Sequence, residues 1–487
     1  MTRQAAERLV PKTTAFIGGA PAEGCGPART FTHPADGRGY ADQALAGPSD
    51  VDAAVAAARD ALPAWRGLAP SARRDLLFGL AAAIRREAQN LAAVVSLEMG
   101  MPLRASVAGV EQAAEWFAHY AGWADKITGE TVPVAPGAVH DYTVPGPRGV
   151  VGAIIPWNGP VIALALKVAP ALAAGNCVVL KPAELAPFSS VCVAELFASA
   201  GLPAGVFNVV GGGADAGARL VEHPDVDMIS FTGGDTAGRA VGMAAAARHV
   251  PAVLELGGKS ASLVFEDADP ARVGKLAVLL GVAQNSGQGC FLPTRLLVHR
   301  SIHDDVLAAA EVAASRVRLG DPFGERTTMG PVVNEQAAER ILGVIANAEA
   351  QGDGRLVTGG RRAGGELAAG SYVQPTVFGE VDPASPLATE EIFGPVLAVT
   401  PFDDEDGAIA LANGTRYGLA GYVWTADLAR AHRVAHRLDA GYVSVNGMAG
   451  LPPGAPFGGW KASGHGTEGG RAGLREYLRV KNVHVQL

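Results

Sequence analysis

Cysteine is scarce in this chain. Four of its 487 residues, Cys25, Cys177, Cys192 and Cys290, are too few and too scattered for a disulfide framework or a zinc ribbon. Aromatic residues make up 6% and charged residues 18% of the sequence. The charge is nearly balanced, with 40 Lys and Arg against 48 Asp and Glu, and no basic stripe marks a nucleic-acid-binding surface. A membrane helix needs about 20 uninterrupted apolar residues. The longest apolar stretch, 149–180, is broken by Pro156, Asn158, Pro160, Lys167, Pro170 and Asn176. The N-terminal segment carries Arg3, Glu7, Arg8 and Lys12 and lacks the apolar run of a secretory signal. These absences lead us to expect a soluble, cytoplasmic protein with reduced thiols, no nucleic-acid partner and no membrane attachment.

Glycine is abundant instead, 63 of 487 residues, where about 7% is usual. With no short period to it, the excess describes a turn-rich globular protein. At roughly 100 to 200 residues per domain, the length predicts about three domains. From Asp50 to Ser106 apolar positions recur every three or four residues, as in helices, with starts at Ser49-Asp50 and Pro70-Ser71, and a further helical stretch covers Val107 to Lys126. Residues 129–146 read as extended chain. Beyond Arg148, apolar β-branched runs at 150–155, 177–180, 206–210, 226–231 and 250–254 alternate with helical patterns, which implies βαβ units and a buried parallel sheet. The alternation resumes with strands expected at 261–265, 296–299, 396–399, 421–424 and 442–445. A second α/β domain follows the first.

In open parallel sheets, ligands bind beyond the carboxyl ends of the strands. Five such places carry Pro156-Trp157-Asn158, Lys181-Pro182-Ala183-Glu184, Gly211-Gly212-Gly213, Thr232-Gly233-Gly234 and Glu255-Leu256-Gly257-Gly258-Lys259. Each alone reads as a helix cap or a glycine turn; together they describe a nucleotide cleft. The turn after Phe231 lets backbone N–H groups approach an anion, although it lacks strict G-x-G-x-x-G spacing. Lys181 and Glu184 suit ribose hydroxyls, or equally a surface ion pair. Cys290 sits between Gly289 and Phe291 in a turn where Gly287 and Gly289 would leave its thiol open, and Glu255 is the candidate base. Cys177 and Cys192 read as buried and inert. His432 and His436 share a helix face but have no third ligand in sight, so solvated or capping histidines are expected and no metal site is. The run Asp403-Asp404-Glu405-Asp406 reads as helix capping.

From about Asp50 onward the chain resembles the NAD(P)-dependent aldehyde dehydrogenase superfamily. The resemblance rests on the motifs above together with Gly287-Gln288-Gly289-Cys290, Glu390-Glu391-Ile392-Phe393-Gly394-Pro395, Asn413 with Tyr417-Gly418-Leu419, and Pro456-Phe457-Gly458-Gly459 with Ser463-Gly464. It implies that Cys290 attacks an aldehyde carbon, that the Asn158 amide and the Cys290 N–H hold the oxyanion, and that Glu255 activates the water that hydrolyses the thioester. Lys167 and Glu468 match positions tied to proton movement. For the cofactor it implies Lys181 and Glu184 at the adenosine ribose, Gly233 with Thr232 and Gly234 at the pyrophosphate, and Glu391 with Phe393 at the nicotinamide side. Ile154, Pro156, Trp157, Gly213, Phe231, Leu256 and Gly257 complete that cleft.

Glu184 favours NAD, with NADP possible, because a carboxylate suits a free 2′-hydroxyl. Many relatives carry an aromatic residue after the motif Asn, where this chain has Gly159. With Ala163, Leu166, Phe291, Leu451 and Phe457, this implies a wide apolar tunnel for medium-sized hydrophobic or aromatic aldehydes. The implied architecture is α/β: a Rossmann-like cofactor domain of residues 1–125 and 147–257, an α/β catalytic domain of 258–473, and a β arm of 126–146 and 474–487 that makes a homodimer or homotetramer. A CoA-acylating dehydrogenase and a non-redox Cys-dependent acyl hydrolase are the competing expectations.

Overall fold

The structure, a computed structural model, describes residues 1–134, 137–448 and 450–487. Residues 135 and 136 of the expected arm lie outside this description. Two twisted sheets carry the chain. In the first, the strands Phe207–Val210, Cys177–Pro182, Val150–Ile155, Met228–Thr232 and Ala252–Glu255 lie side by side in that order, all parallel. The winding direction therefore reverses between Val150–Ile155 and Met228–Thr232, which opens a crevice beyond the carboxyl ends of those two strands. The second sheet runs Arg355–Thr358, Thr376–Gly379, Val396–Phe402, Arg295–His299, Ala261–Val264, Ala420–Trp424 and Tyr442–Val445. All its pairs are parallel except the first. Every residue of Val150–Ile155 is buried, as expected of a strand covered on both faces.

The strands extend further than the pattern of β-branched residues indicated. Lys181, Thr232 and Glu255 are strand residues, the last two at the very carboxyl ends, and not members of the turns that follow. Apolar periodicity stops before a polar functional side chain, although backbone pairing continues through it. Both edges of the first sheet also held a surprise. Ala15–Ile17 pairs antiparallel with Phe207–Val210 on one side and carries the edge strand Ala20–Ala22 beyond it, and Gly464–His465 pairs antiparallel with Ala252–Glu255 at the other edge. Strands of two or three residues carry too little pattern to be read.

The helical region resolves into Pro48–Gly67, Pro70–Arg86, Ala88–Met99 and Leu103–Ala121. The first begins ahead of the expected Ser49-Asp50 start, because Asp50 reaches back to accept from the Gly47 N–H at 2.9 Å. The last begins before Val107, since Gly100 at φ +77° ends the preceding helix and Pro102 allows a new one. Leu103–Ala121 packs on Pro160–Ala173, the first helix of the parallel sheet. Val139–Pro147 pairs over its whole length with Leu478–Gln486 in a two-stranded ribbon.

In the acidic run, Asp404 caps Glu405–Asn413 by accepting from Gly407 N at 2.8 Å. Its neighbours pair with arginines instead: Asp403 with Arg300, Glu405 with Arg433 and Asp406 with Arg437. Those last two arginines share the helix of His432 and His436. All four cysteines are free; Cys177 is buried, and Cys192 is half-buried rather than fully enclosed. Among the described residues, no helix is long and apolar enough to cross a membrane.

Asn176 joins the first sheet to the ribbon. Fully buried, it accepts from Gly149 N at 2.9 Å and donates to the Ala171 and Tyr477 carbonyls at 3.0 and 3.1 Å. Asn176→Ala strands these buried groups and is expected to cost about 3 kcal/mol. Equilibrium urea unfolding checks this, and an unchanged midpoint would contradict it.

Candidate active site

The crevice is lined by the residues that leave the parallel strands. Ile154 is buried next to the end of its strand, and Pro156, Trp157 and Asn158 emerge half-buried beyond it. Trp157 meets Phe393 edge to face at 5.6 Å, with Phe393 held at φ +53°. Lys181 is almost wholly buried, and its ammonium lies 3.8 Å from the Glu184 carboxylate, which is partly open to solvent. Burial lowers the Lys181 pKa, against the opposing pull of Glu184 and Asp215. Gly213 precedes the helix Ala214–Glu222. Gly211 and Gly212 have a different task from the one expected. A Cβ on either would lie 2.6 Å from the Thr14 carbonyl or 2.3 Å from that of Ala46, so they admit the N-terminal segment and do not cradle a ligand.

At the fourth strand, the Phe231 ring underlies Gly233, while a Cβ at Gly234 would meet nothing within 4 Å. No side chain caps the helix Asp235–Ala247 that follows, so its first N–H groups face the crevice. Leu256 fills the space left by the missing side chain of Gly238. Glu391 accepts from Gly258 N at 3.0 Å, and burial pushes its carboxyl up to about 7. A Cβ on Gly257 would strike that same carboxylate at 2.6 Å.

Cys290 follows a contorted segment in which Asn285, Ser286 and Gly287 all have positive φ, 48°, 55° and 71°. Two of the three are not glycine, so the shape is imposed by their contacts. Asn285 Nδ2 donates to the Asn158 and Gln288 carbonyls at 2.9 Å each, and Ser286 Oγ to the Gly330 carbonyl at 2.8 Å. Gln288 donates to the Asn285 carbonyl and accepts from Val333 N. The neighbouring glycines serve packing more than openness. Gly287 passes the Gly394 carbonyl so closely that a Cβ would lie 2.0 Å from it, and Gly289 yields to Leu292 at 2.8 Å. Asn285 and Gln288, unremarkable as neighbours of Cys290 in the sequence, are the groups that hold the loop; their only signal was two amides three residues apart.

The Cys290 thiol is half-buried. Burial, followed by the charges of Glu391 and Glu255, pushes it up to about 12, while the backbone N–H groups of Cys290 and Phe291 bond toward the sulfur and oppose the shift. One N–H of the Asn158 amide donates to the Gln288 carbonyl at 3.0 Å, and the second has no protein partner among the described residues. Glu255 is buried, and its Oε1 has no hydrogen-bond partner among the described residues. Desolvation and the Glu468 carboxylate raise its pKa well above the ordinary value, and Lys167 and the Gly459 N–H pull the other way. Behind it, Lys167 Nζ contacts Glu468 Oε1 at 2.7 Å and Ser230 Oγ at 3.2 Å, with side chains 0% and 2% exposed for the ion pair, and Tyr477 extends the chain through Ser230.

Phe291, the residue after Cys290, begins an aromatic row. Phe291 and Phe457 meet edge to face at 6.0 Å, and Tyr442 continues the row at 6.1 Å. Leu166 is buried in the core around the first sheet, Ala163 and Leu451 pack against that core, and Gly159 caps Pro160–Ala173 without a side chain. The Leu451 carbonyl accepts from Gln112 Nε2 and Trp116 Nε1, both at 3.1 Å.

Residues 24–483 match the model of the aldehyde dehydrogenase family. The chain belongs to that family. It is 42% identical over 483 residues to betaine aldehyde dehydrogenase of Cereibacter sphaeroides, covering 98% of each chain. Among solved structures, it superposes on the NAD+ complex of a Bacillus cereus aldehyde dehydrogenase with a TM-score of 0.96 and 37% identity, covering 100% of this chain and 99% of that one. The Staphylococcus aureus betaine aldehyde dehydrogenase with NAD+ gives a TM-score of 0.96 at 33% identity, covering 99% and 97%. This aldehyde dehydrogenase therefore has the α/β fold expected of it, with one sheet of Rossmann type and a second α/β sheet beside it.

The electrostatics of the thiol can be tested directly. With its pKa near 12, alkylation of Cys290 by iodoacetamide in the cofactor-free enzyme should rise with pH without levelling off below pH 10. Since a negative Glu391 disfavours the thiolate, Glu391→Gln should speed the reaction severalfold between pH 8 and 10. Peptide mass spectrometry separates Cys290 from the exposed Cys25; a slower Glu391→Gln reaction would contradict the assignment.

Proposed function

We propose that this aldehyde dehydrogenase oxidises medium-sized hydrophobic or aromatic aldehydes to carboxylic acids with NAD, through a thioester on Cys290 hydrolysed with the help of Glu255. The observation that carries the reading is the convergence of Cys290, the spare N–H of Asn158 and the unpartnered Glu255 carboxyl on the crevice at the strand-order reversal. The crevice residues fit a dinucleotide. The uncapped helix N-terminus after the open Gly234 suits a diphosphate, Lys181 with Glu184 suits the adenosine ribose, and Glu391 beside the Trp157–Phe393 pair suits the nicotinamide half. The carboxylate of Glu184 favours the free 2′-hydroxyl of NAD over the 2′-phosphate of NADP. When bound, the nicotinamide supplies the two-electron acceptor.

The protein's own residues do the remaining work. The Cys290 sulfur, its thiol proton taken by the Glu255 carboxylate, attacks the aldehyde carbon, and the oxyanion that forms takes hydrogen bonds from the Asn158 amide and the Cys290 N–H. In deacylation, the Glu255 carboxylate takes a proton from the attacking water, and its burial, by disfavouring the charged form, makes it a stronger base than an exposed carboxylate. Lys167 and Glu468 give that proton a buried route away from Glu255. The same base favours hydrolysis over transfer to CoA, and it leaves a simple acyl hydrolase with no use for the dinucleotide crevice. The division into residues 1–125 with 147–257, 258–473, and 126–146 with 474–487 remains our reading of the domains. The exposed Val144, Val480 and Val485 on the ribbon support a homodimer or homotetramer. Four free cysteines suit the cytoplasm.

The wall of the pocket argues for the substrate class. Gly159, Ala163 and Leu166 contribute no ring, so the Phe291–Phe457–Tyr442 row bounds one side only. A quaternary ammonium such as that of betaine aldehyde is held by a cage of rings on several sides. The relatives named for betaine aldehyde nevertheless make it the second substrate to try.

Cys290→Ala should abolish aldehyde-dependent NADH formation while NAD still binds; substantial residual turnover would refute the nucleophile. Glu255→Gln should give an initial burst of NADH followed by a steady state slowed about 100-fold or more, with no change in rate counting against the base. Among acetaldehyde, octanal, benzaldehyde and betaine aldehyde, kcat/KM should be highest for octanal or benzaldehyde. A preference for acetaldehyde or betaine aldehyde would overturn the substrate assignment.

A further inference from the structure

Arg416 bridges the two sides of the cofactor crevice. It precedes Tyr417–Gly418 in the half of the chain that carries the second sheet, and its guanidinium lies over the Tyr417 ring, 4.3 Å from the centroid. One nitrogen pairs with the carboxylate of Asp235, and another lies 3.3 Å from Glu390 Oε2. Both partners sit beside residues assigned to the dinucleotide. Asp235 is the first residue of the helix Asp235–Ala247 and follows Gly233 and Gly234 directly; Glu390 directly precedes Glu391.

Asp235 poses an electrostatic difficulty. In the first turn of a helix, a carboxylate complements the helix dipole. A diphosphate placed on the same N-terminus would meet that carboxylate as a like charge at short range, where a low dielectric makes the repulsion strong. The carboxylate has little else to neutralise it: Asp235 Oδ1 is buried with no hydrogen-bond partner among the described residues, and the other oxygen faces Arg416. The same guanidinium restrains the loop that presents Glu391, whose position is otherwise set by one bond from Gly258 N.

We propose that Arg416 is a positioning residue for the dinucleotide, neutralising Asp235 so that the Gly233–Gly234 turn accepts a diphosphate, and tying that turn to the Glu390–Glu391 loop across the crevice. This rests on the dinucleotide reading of the crevice given above. Arg416 is not a catalytic residue, since it acts through Asp235 and Glu390.

The test uses the full-length enzyme with Cys290→Ala, which cannot turn over, and measures NAD affinity by calorimetry. Arg416→Ala should weaken binding about tenfold, the scale of one partly exposed charge near a dianion. Arg416→Lys should recover part of the loss. Asp235→Asn alone should not weaken binding, and the double variant Arg416→Ala with Asp235→Asn should return to within about threefold of the parent. A merely structural role for Arg416 would not be rescued by removing a second charge. An Arg416→Ala affinity within twofold of the parent, or additive losses in the double variant, would overturn the proposal. If the Cys290→Ala parent itself bound neither NAD nor NADP, the dinucleotide reading would fail, a result distinct from failure of the Arg416 proposal.

Discussion

The site depends on how closely backbone can approach backbone at Gly257 and Gly258. There the chain leaves the edge of the first sheet at Glu255 and enters the second at Ala261. A Cβ on Gly258 would lie 2.4 Å from the Cys290 carbonyl, and one on Gly257 would lie 2.6 Å from Glu391 Oε2. Ser463 clamps the same segment, donating from Oγ to the Gly257 carbonyl at 2.7 Å and accepting Leu256 N at its own carbonyl. With no side chain in the way, the Cys290 loop, the Glu391 loop and the returning strand Gly464–His465 all converge on the five residues between two strands. Any larger residue there would separate Cys290 from Glu391 and from the first sheet that carries Glu255.

That convergence buries acids around a thiol, and burial favours neutral forms. The thiol and the carboxyls of Glu255 and Glu391 all move upward for that reason. Lys259 shows the mirror effect. Its buried ammonium, unpartnered and near Arg295, is lowered to about 7. Lys167 and Glu468 are also buried, and they meet as a contact pair at 2.7 Å. A buried ion pair thus lies beside the buried Glu255 carboxyl.

Much of this was legible along the chain. The alternation of apolar runs with helical periods located the five parallel strands of the first sheet and five of the seven strands of the second within one to three residues, because a strand buried on both faces is mostly apolar, but it missed Arg355–Thr358 and Thr376–Gly379. The short strands that extend the first sheet were not legible: Ala15–Ile17, Ala20–Ala22 and Gly464–His465 are strands through backbone pairing alone. Gly211 and Gly212 misled for a related reason. A glycine run announces that backbone approaches something, and only the packed structure shows that here it approaches Thr14 and Ala46 and not a phosphate. Asn285 and Gln288 stayed inconspicuous because amides are common in loops and their partners, Asn158 and Val333, are distant in sequence.

By itself the sequence determined the α/β class, the family resemblance and the residue types able to do the chemistry, since these follow from local periodicity and from motifs a few residues long. Tertiary structure alone decided which of those residues meet. Glu255, Cys290, Glu391 and Glu468 come from four separate segments of the chain. Their shared burial, the paired state of Lys167 and the meeting of Arg416 with Asp235 arise only when two sheets close on a glycine hinge, because desolvation and charge pairing depend on distances in space.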